Sequence, residues 1–192
     1  MGDEKFKEGV RLPLRRHPYG NATSDEFFTA LADAGKEPRV LKSMQGFVYQ
    51  QGVPVVDLVR DGTGYKASQS RYAMVGAHEI DTHWVIPLCV RRGETRSCTL
   101  VDHKSQAIAA NGQGPIVPNA GGTGYYRYNL STSDWDALIG LGAKLPAGEA
   151  LAASDSLWAQ FSRGKVSATQ LIKAARTFVD NPNSNVVVFG GW

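Results

Sequence analysis

The chain has 192 residues, 42% of them hydrophobic and 20% charged, with a formal net charge of +3. That length and composition suit one generous globular domain or two small ones. The weak basic excess sits in pairs such as Arg15-Arg16 and Arg91-Arg92, which argues against a nucleic-acid partner. No apolar run reaches the ~20 residues of a membrane span. Met1-Gly2-Asp3-Glu4-Lys5 carries none of the apolar stretch that a signal peptide needs.

Residues 3–16 read as a helix, with Phe6, Val10 and Leu14 at i, i+4, i+8 and Asp3 and Glu4 in the first turn. Pro13 marks a kink in it or the start of its end. His17 to Asn21 is a turn cluster. A second helix starts at a capping box, Thr23 with Glu26, shows Phe27, Leu31 and Ala34 on one face, and ends at Gly35. Pro38 opens a third, whose face carries Val40, Leu41, Met44, Phe47 and Val48.

At Gln51-Gly52 the apolar period shifts from 3.6 toward 2. Strands are expected at Val53–Val59, Tyr65–Tyr72, His83–Val90 and Cys98–Val101. Weaker ones are expected at Ser105–Ile108 and Ile116-Val117, and a last one at Tyr125–Tyr128. Trp84, Ile86, Leu88 and Val90 share one face. About seven short strands with this spacing predict a small antiparallel β-sandwich. From Ser131 the pattern is helical again. Ser133 or Asp134 caps a helix bearing Trp135, Leu138 and Ile139. Glu149–Phe161 forms the next, with Leu157 and Phe161 on one stripe, and Ser167 caps a third bearing Leu171, Ala174, Ala175 and Phe178. Asn181–Asn185 reads as a loop before an apolar Val186–Phe189. The fold class is therefore α+β: three helices, the sandwich, then helices of an incomplete helical domain.

A search for chemistry returns no catalytic, cofactor-binding or metal-binding residue. His78-Glu79-Ile80-Asp81-Thr82-His83 is one residue too long for the zinc motif His-Glu-x-x-His. Histidines at i, i+5 diverge by about 140° on a helix. There is no Gly-x-Ser-x-Gly elbow and no phosphate-binding Gly-Lys-Ser/Thr. Gly121-Gly122-Thr123-Gly124 runs into a strand and reads as a tight turn. Two cysteines are too few for a disulfide scaffold. A turn centred between Gly93 and Glu94 sets Cys89 opposite Cys98, which leaves a cross-strand disulfide and two free thiols both open. Tyr125, Tyr126, Tyr128 and Trp84 read as core and cross-strand pairs. The alternative is a free-standing sandwich module that binds carbohydrate or peptide on these rings.

Ordered motifs carry a resemblance. Gly2-Asp3-Glu4-Lys5-Phe6, His17-Pro18-Tyr19-Gly20-Asn21-Ala22-Thr23 and Gln51-Gly52-Val53-Pro54-Val55-Val56 come first. Gln69-Ser70-Arg71-Tyr72, Trp84-Val85-Ile86-Pro87-Leu88, Asn119, Gly124–Asn129 and Trp135 follow. Ser154-Asp155-Ser156, Gly164–Ser167 and Gln170-Leu171 complete the set. Over about residues 2–178 the chain resembles the region after the active site of the aminopeptidase N family of zinc metallopeptidases.

The resemblance implies that residues 1–50 are the terminal helices of a thermolysin-like catalytic domain. Residues 51–130 would be its β-sandwich domain, and 131–192 the first helices of a C-terminal α-helical domain. In that family the zinc ligands, general-base Glu and catalytic Tyr precede this region, so none is carried onto a position here. Zinc is expected in the parent and no cofactor in this chain. The expected partner is the rest of the parent polypeptide, with self-association where apolar helix faces are left uncovered. The parent's compartment, cytoplasmic or periplasmic/secreted, stays open.

Overall fold

The computed structural model describes residues 2–78 and 80–183. They fall into two compact units, Met1–Gln51 and Gly52–Trp192. The first holds α1 (Asp3–Arg16), α2 (Ser24–Gly35) and α3 (Arg39–Tyr49). In α1 the acidic first turn and Arg15 and Arg16 in the last turn both complement the macrodipole. Pro13 stands inside the helix, and the His17 N–H donates to its carbonyl.

The expected stripe on α1 is not the buried one. Phe6 and Leu14 are 52% and 68% exposed, whereas Gly9 and Pro13 are buried. The reason is close approach: a Cβ on Gly9 would meet Leu31 Cδ2 at 2.8 Å, so α1 packs on α2 through its smallest residue. The capping box forms as expected. Thr23 Oγ1 accepts from the Glu26 N–H at 3.3 Å, and the Glu26 carboxylate accepts from the Thr23 N–H at 2.8 Å. Lys36, not Gly35, takes the left-handed position that closes α2. Phe28 and Leu31 form the buried face of α2, with Phe27 and Ala34 at its margin.

The second unit holds β1 (Pro54–Asp61), β2 (Gly64–Arg71), β3 (Ile86–Arg92), β4 (Thr95–Val101), β5 (Ser105–Ile108), β6 (Ile116–Val117) and β7 (Arg127–Leu130). Its helices are α4 (Thr132–Ile139), α5 (Ala147–Ser162) and α6 (Ala168–Phe178). The strands form a four-stranded sheet, β5-β2-β1-β7, and a three-stranded sheet, β4-β3-β6. The α+β class stands, with one departure in direction. β7 pairs parallel to β1, placing Tyr128 beside Val56 and Leu130 beside Leu58, while every other pairing is antiparallel. β1 is therefore internal, and its apolar run reflects this: Val55, Val56 and Leu58 are all buried.

Trp84 lies just ahead of β3 but keeps its alternation, and Trp84, Ile86, Leu88 and Val90 are all buried. The Gln69 side chain ties it to the other sheet: its Nε2 donates to the Trp84 carbonyl and its Oε1 accepts from the Trp84 N–H, both at 2.9 Å. Ser131, rather than Ser133 or Asp134, caps α4. Ser167 caps α6 as expected. On α5 Leu157 is buried and Phe161 is 37% exposed. The apolar Val186–Phe189 lies outside the described residues, as does the second half of the Asn181–Asn185 loop.

Candidate functional site

The densest polar construction in the second unit lies where the sheets meet α4 and α5. Both helices begin with an acid at the third helical position, Asp134 and Glu149, where the macrodipole favours negative charge. Both carboxylates are buried. Each is met by an arginine from a strand. Arg60 on β1 bonds Asp134, which also accepts from the Tyr65 hydroxyl at 3.2 Å. Arg91 on β3 bonds Glu149 through two nitrogens, with Nε to Oε1 at 3.0 Å. A third pair joins Arg127 on β7 to Asp155 in the middle of α5, at 3.0 and 3.1 Å. These hydrogen bonds hold all three guanidinium groups above their ordinary pKa.

The Gly-rich turn is built into the same joint. Gly121 and Gly122 have φ of 82° and 66°, a conformation that only glycine adopts without strain. A Cβ on Gly122 would collide with the Gly148 carbonyl at the start of α5. The Gly121 N–H donates to the Glu149 carboxylate at 3.0 Å. Asn119 closes the loop by accepting from the Gly124 N–H and donating to the Gly124 carbonyl, both at 2.9 Å. The expected tight turn is thus also a seat for a helix N-terminus.

The aromatic run splits by role. Tyr125 is 67% exposed, whereas Tyr126 and Tyr128 are buried. The Tyr126 hydroxyl donates to the Pro118 carbonyl at 2.9 Å. Tyr128 stacks on Trp135 with ring centroids 5.3 Å apart, and Trp135 Nε1 donates to Asn129. Burial pushes the phenols of both buried tyrosines above their usual range. Arg127 lies over the Tyr72 ring at 4.4 Å. Beside this run is a cleft of about 340 Å³ whose polar wall is Asn119, Arg127 and Asp155. The last two are already paired to each other, so the cleft offers a ligand little unspent polar capacity.

Among the described residues no group of three or more His, Cys, Asp or Glu is placed to hold a metal ion. His78 and His83 lie in coil rather than on a helix, and Glu79 between them lies outside the described residues. Cys89 and Cys98 pair across β3 and β4 as a disulfide, which decides the open alternative and removes both as thiolate ligands. The pairs Arg60–Asp134, Arg91–Glu149 and Arg127–Asp155 were not visible in the sequence. Their partners stand 28 to 74 residues apart. The one available signal was an acid in the first turn of each of two helices.

No protein-family model matches the chain. Individual proteins do. The chain is 23% identical over 186 residues to tricorn protease-interacting factor F2 of Thermoplasma acidophilum, covering 97% of this chain and 23% of that protein. It is 26% identical over 189 residues to the puromycin-sensitive aminopeptidase of Caenorhabditis elegans, covering 91% of this chain and 20% of that protein. Over a shorter stretch of 90 residues it is 32% identical to probable M1 family aminopeptidase 1 of Encephalitozoon cuniculi. The chain is a relative of the M1-family aminopeptidases. It is aminopeptidase N-like over most of its length, and it spans about a fifth to a quarter of the relatives that it matches most fully. Zinc, the metal this relationship implies, does not fit the side chains that the described residues bring together.

Proposed function

We propose that this chain is a bracing segment of a zinc-dependent aminopeptidase and contributes no catalytic or metal-binding residue to it. In this reading residues 1–50 are the closing helices of the catalytic domain. Residues 51–130 are the sandwich, and 131–192 open the C-terminal helical domain. The parent removes N-terminal residues from peptides, and the remainder of that polypeptide is the segment's partner. The observation that carries the reading is coverage. More than nine-tenths of the chain aligns with only a fifth to a quarter of much longer relatives, among them a puromycin-sensitive aminopeptidase.

The joint supports the same reading. Its carboxylates, buried at Asp134 and Glu149 and partly exposed at Asp155, are bonded to arginines that clamp helices onto strands. Carboxylates held in this way fix position; they do not stand ready to take a proton from water. Equilibrium dialysis of the purified chain against zinc tests the proposal. No stoichiometric retention is expected above that of a surface-histidine control, and one zinc per chain would overturn it. Calorimetric titration with short peptides and oligosaccharides tests the module reading, which needs saturable heat abolished by Tyr125→Ala.

A further inference from the structure

Away from the joint, the end of β2 holds an arginine without a counter-charge among the described residues. Among the described residues the Arg71 side chain has no hydrogen-bond or ion-pair partner, and its Nε is closed off from solvent. Most of its side chain is covered. Of the other half-buried arginines of this unit, Arg91 and Arg127 are paired with carboxylates, and Arg92 and Arg163 bond carbonyl or amide oxygens. Burying a guanidinium without a partner is costly, and the cost falls when an anion meets it.

The position of Arg71 is built rather than incidental. Gly52 has φ of 108°, and a Cβ there would collide with Arg71 Nε. The Tyr72 N–H donates to the Val53 carbonyl at 2.8 Å, holding the two segments together. Glycine at 52 therefore leaves the space in which the guanidinium lies.

Arg71 lines a cavity of about 320 Å³ together with Gln69, Ser70, Thr82, Asp81 and Lys104. β1 pairs with one edge of β2 here, Val55 opposite Ser70. On the other edge β5 stops at Ser68, and the Gln69 N–H donates to the Lys104 carbonyl. Ser70 and Arg71 both border the cavity, but successive side chains leave a strand on opposite faces, so the Arg71 guanidinium rather than the closed-off Ser70 hydroxyl is the group turned to it. At the rim Lys104 is bonded to Asp81 at 2.6 Å, so the acid in the lining is already neutralised. Among the described lining residues the charge left uncompensated is the Arg71 cation.

We infer that this cavity is an oxyanion site, in which the Arg71 guanidinium receives a carboxylate or phosphate group. A planar guanidinium suits two-point bonding to either. The source is a side-chain carboxylate of a polypeptide or a free inorganic phosphate, and the test separates them.

The full chain is titrated with N-acetyl-aspartate amide and, separately, with inorganic phosphate, each against chloride at matched ionic strength. The readout is the Arg71 Nε–Hε resonance in two-dimensional NMR. A saturable shift with either probe and none with chloride is expected. Saturation at lower carboxylate concentration assigns a polypeptide source, and the reverse order assigns phosphate. Followed instead on the backbone amide resonances of Ser70 and Lys104, Arg71→Gln should weaken binding by about tenfold or more, and Gly52→Ala should weaken it by displacing the guanidinium. Arg71→Lys provides a milder variant if Arg71→Gln does not fold, since it keeps the charge and loses the two-point bonding. An Nε–Hε resonance that moves equally with chloride, or does not saturate with either probe, overturns the inference in the unaltered protein. None of these readouts involves peptidase activity, so the inference stands or falls apart from the bracing role.

Discussion

Arg91 in β3 and Glu149 in the first turn of α5 bond each other through two nitrogens and two oxygens, and the Glu149 carboxylate also receives the Gly121 N–H. One buried group thus ties together a strand of the smaller sheet, the Gly-rich turn and a helix N-terminus. Its side chain is 3% exposed and that of Arg91 is 23% exposed. Glu149→Ala leaves a covered guanidinium and a backbone N–H without their acceptor. It should cost about 3–5 kcal/mol, read as a lower urea midpoint. Glu149→Gln keeps an acceptor for Gly121 and should cost less.

How much of this was legible differs from feature to feature. The Thr23–Glu26 box, the Ser167 cap and the Cys89–Cys98 register rest on neighbours in sequence, and short spacing determines them. The arginine–carboxylate clamps rest on tertiary folding, since Arg60 and Asp134 stand 74 residues apart. The α1 face was misjudged because the apolar period marked Phe6 and Leu14, whereas the contact with α2 selected the smallest residue, Gly9. The parallel entry of β7 beside β1 was hidden because an isolated strand's pattern does not encode the direction of its neighbour.

Two glycines with similar backbone angles should respond differently to a methyl group. Gly62 has φ of 57° with open space around its missing Cβ, and Gly122 has φ of 66° against the Gly148 carbonyl. Gly62→Ala should cost about 1–2 kcal/mol from the left-handed conformation alone. Gly122→Ala adds a backbone collision and should cost at least about 3 kcal/mol. Paired urea denaturations measure the difference.

The two buried tyrosines of the aromatic run make an opposite pair of predictions. The Tyr126 hydroxyl donates to Pro118, whereas the Tyr128 hydroxyl is buried without a partner. Tyr126→Phe should cost about 1 kcal/mol. Tyr128→Phe should be neutral or stabilising, because it removes a buried polar atom that bonds nothing. Thermal melts of both variants check the order.

Burial also sets an alkaline limit. Tyr65, Tyr126 and Tyr128 all have phenols raised from the ordinary 10.0, chiefly by burial. A raised folded-state value means that the unfolded chain loses these protons first. Stability is therefore complete below pH 10 and falls as pH rises through and above it. Urea midpoints on the two sides of pH 10 should drop on the alkaline side, and tyrosinate absorbance should show a fraction that titrates only with unfolding.

The Cys89–Cys98 disulfide joins adjacent strands at a sequence separation of 9. Closing so short a loop stabilises by about 2–3 kcal/mol. Dithiothreitol should lower the melting temperature of the unaltered chain and leave the Cys89→Ser, Cys98→Ser double variant unmoved.

The central claim is that these residues brace an aminopeptidase without performing its chemistry. The most direct measurement incubates the purified chain with zinc and an aminoacyl arylamide, with and without a chelator. The account predicts release of arylamine no faster than in buffer. Sustained turnover that the chelator abolishes, and that survives repurification of the chain, would contradict it.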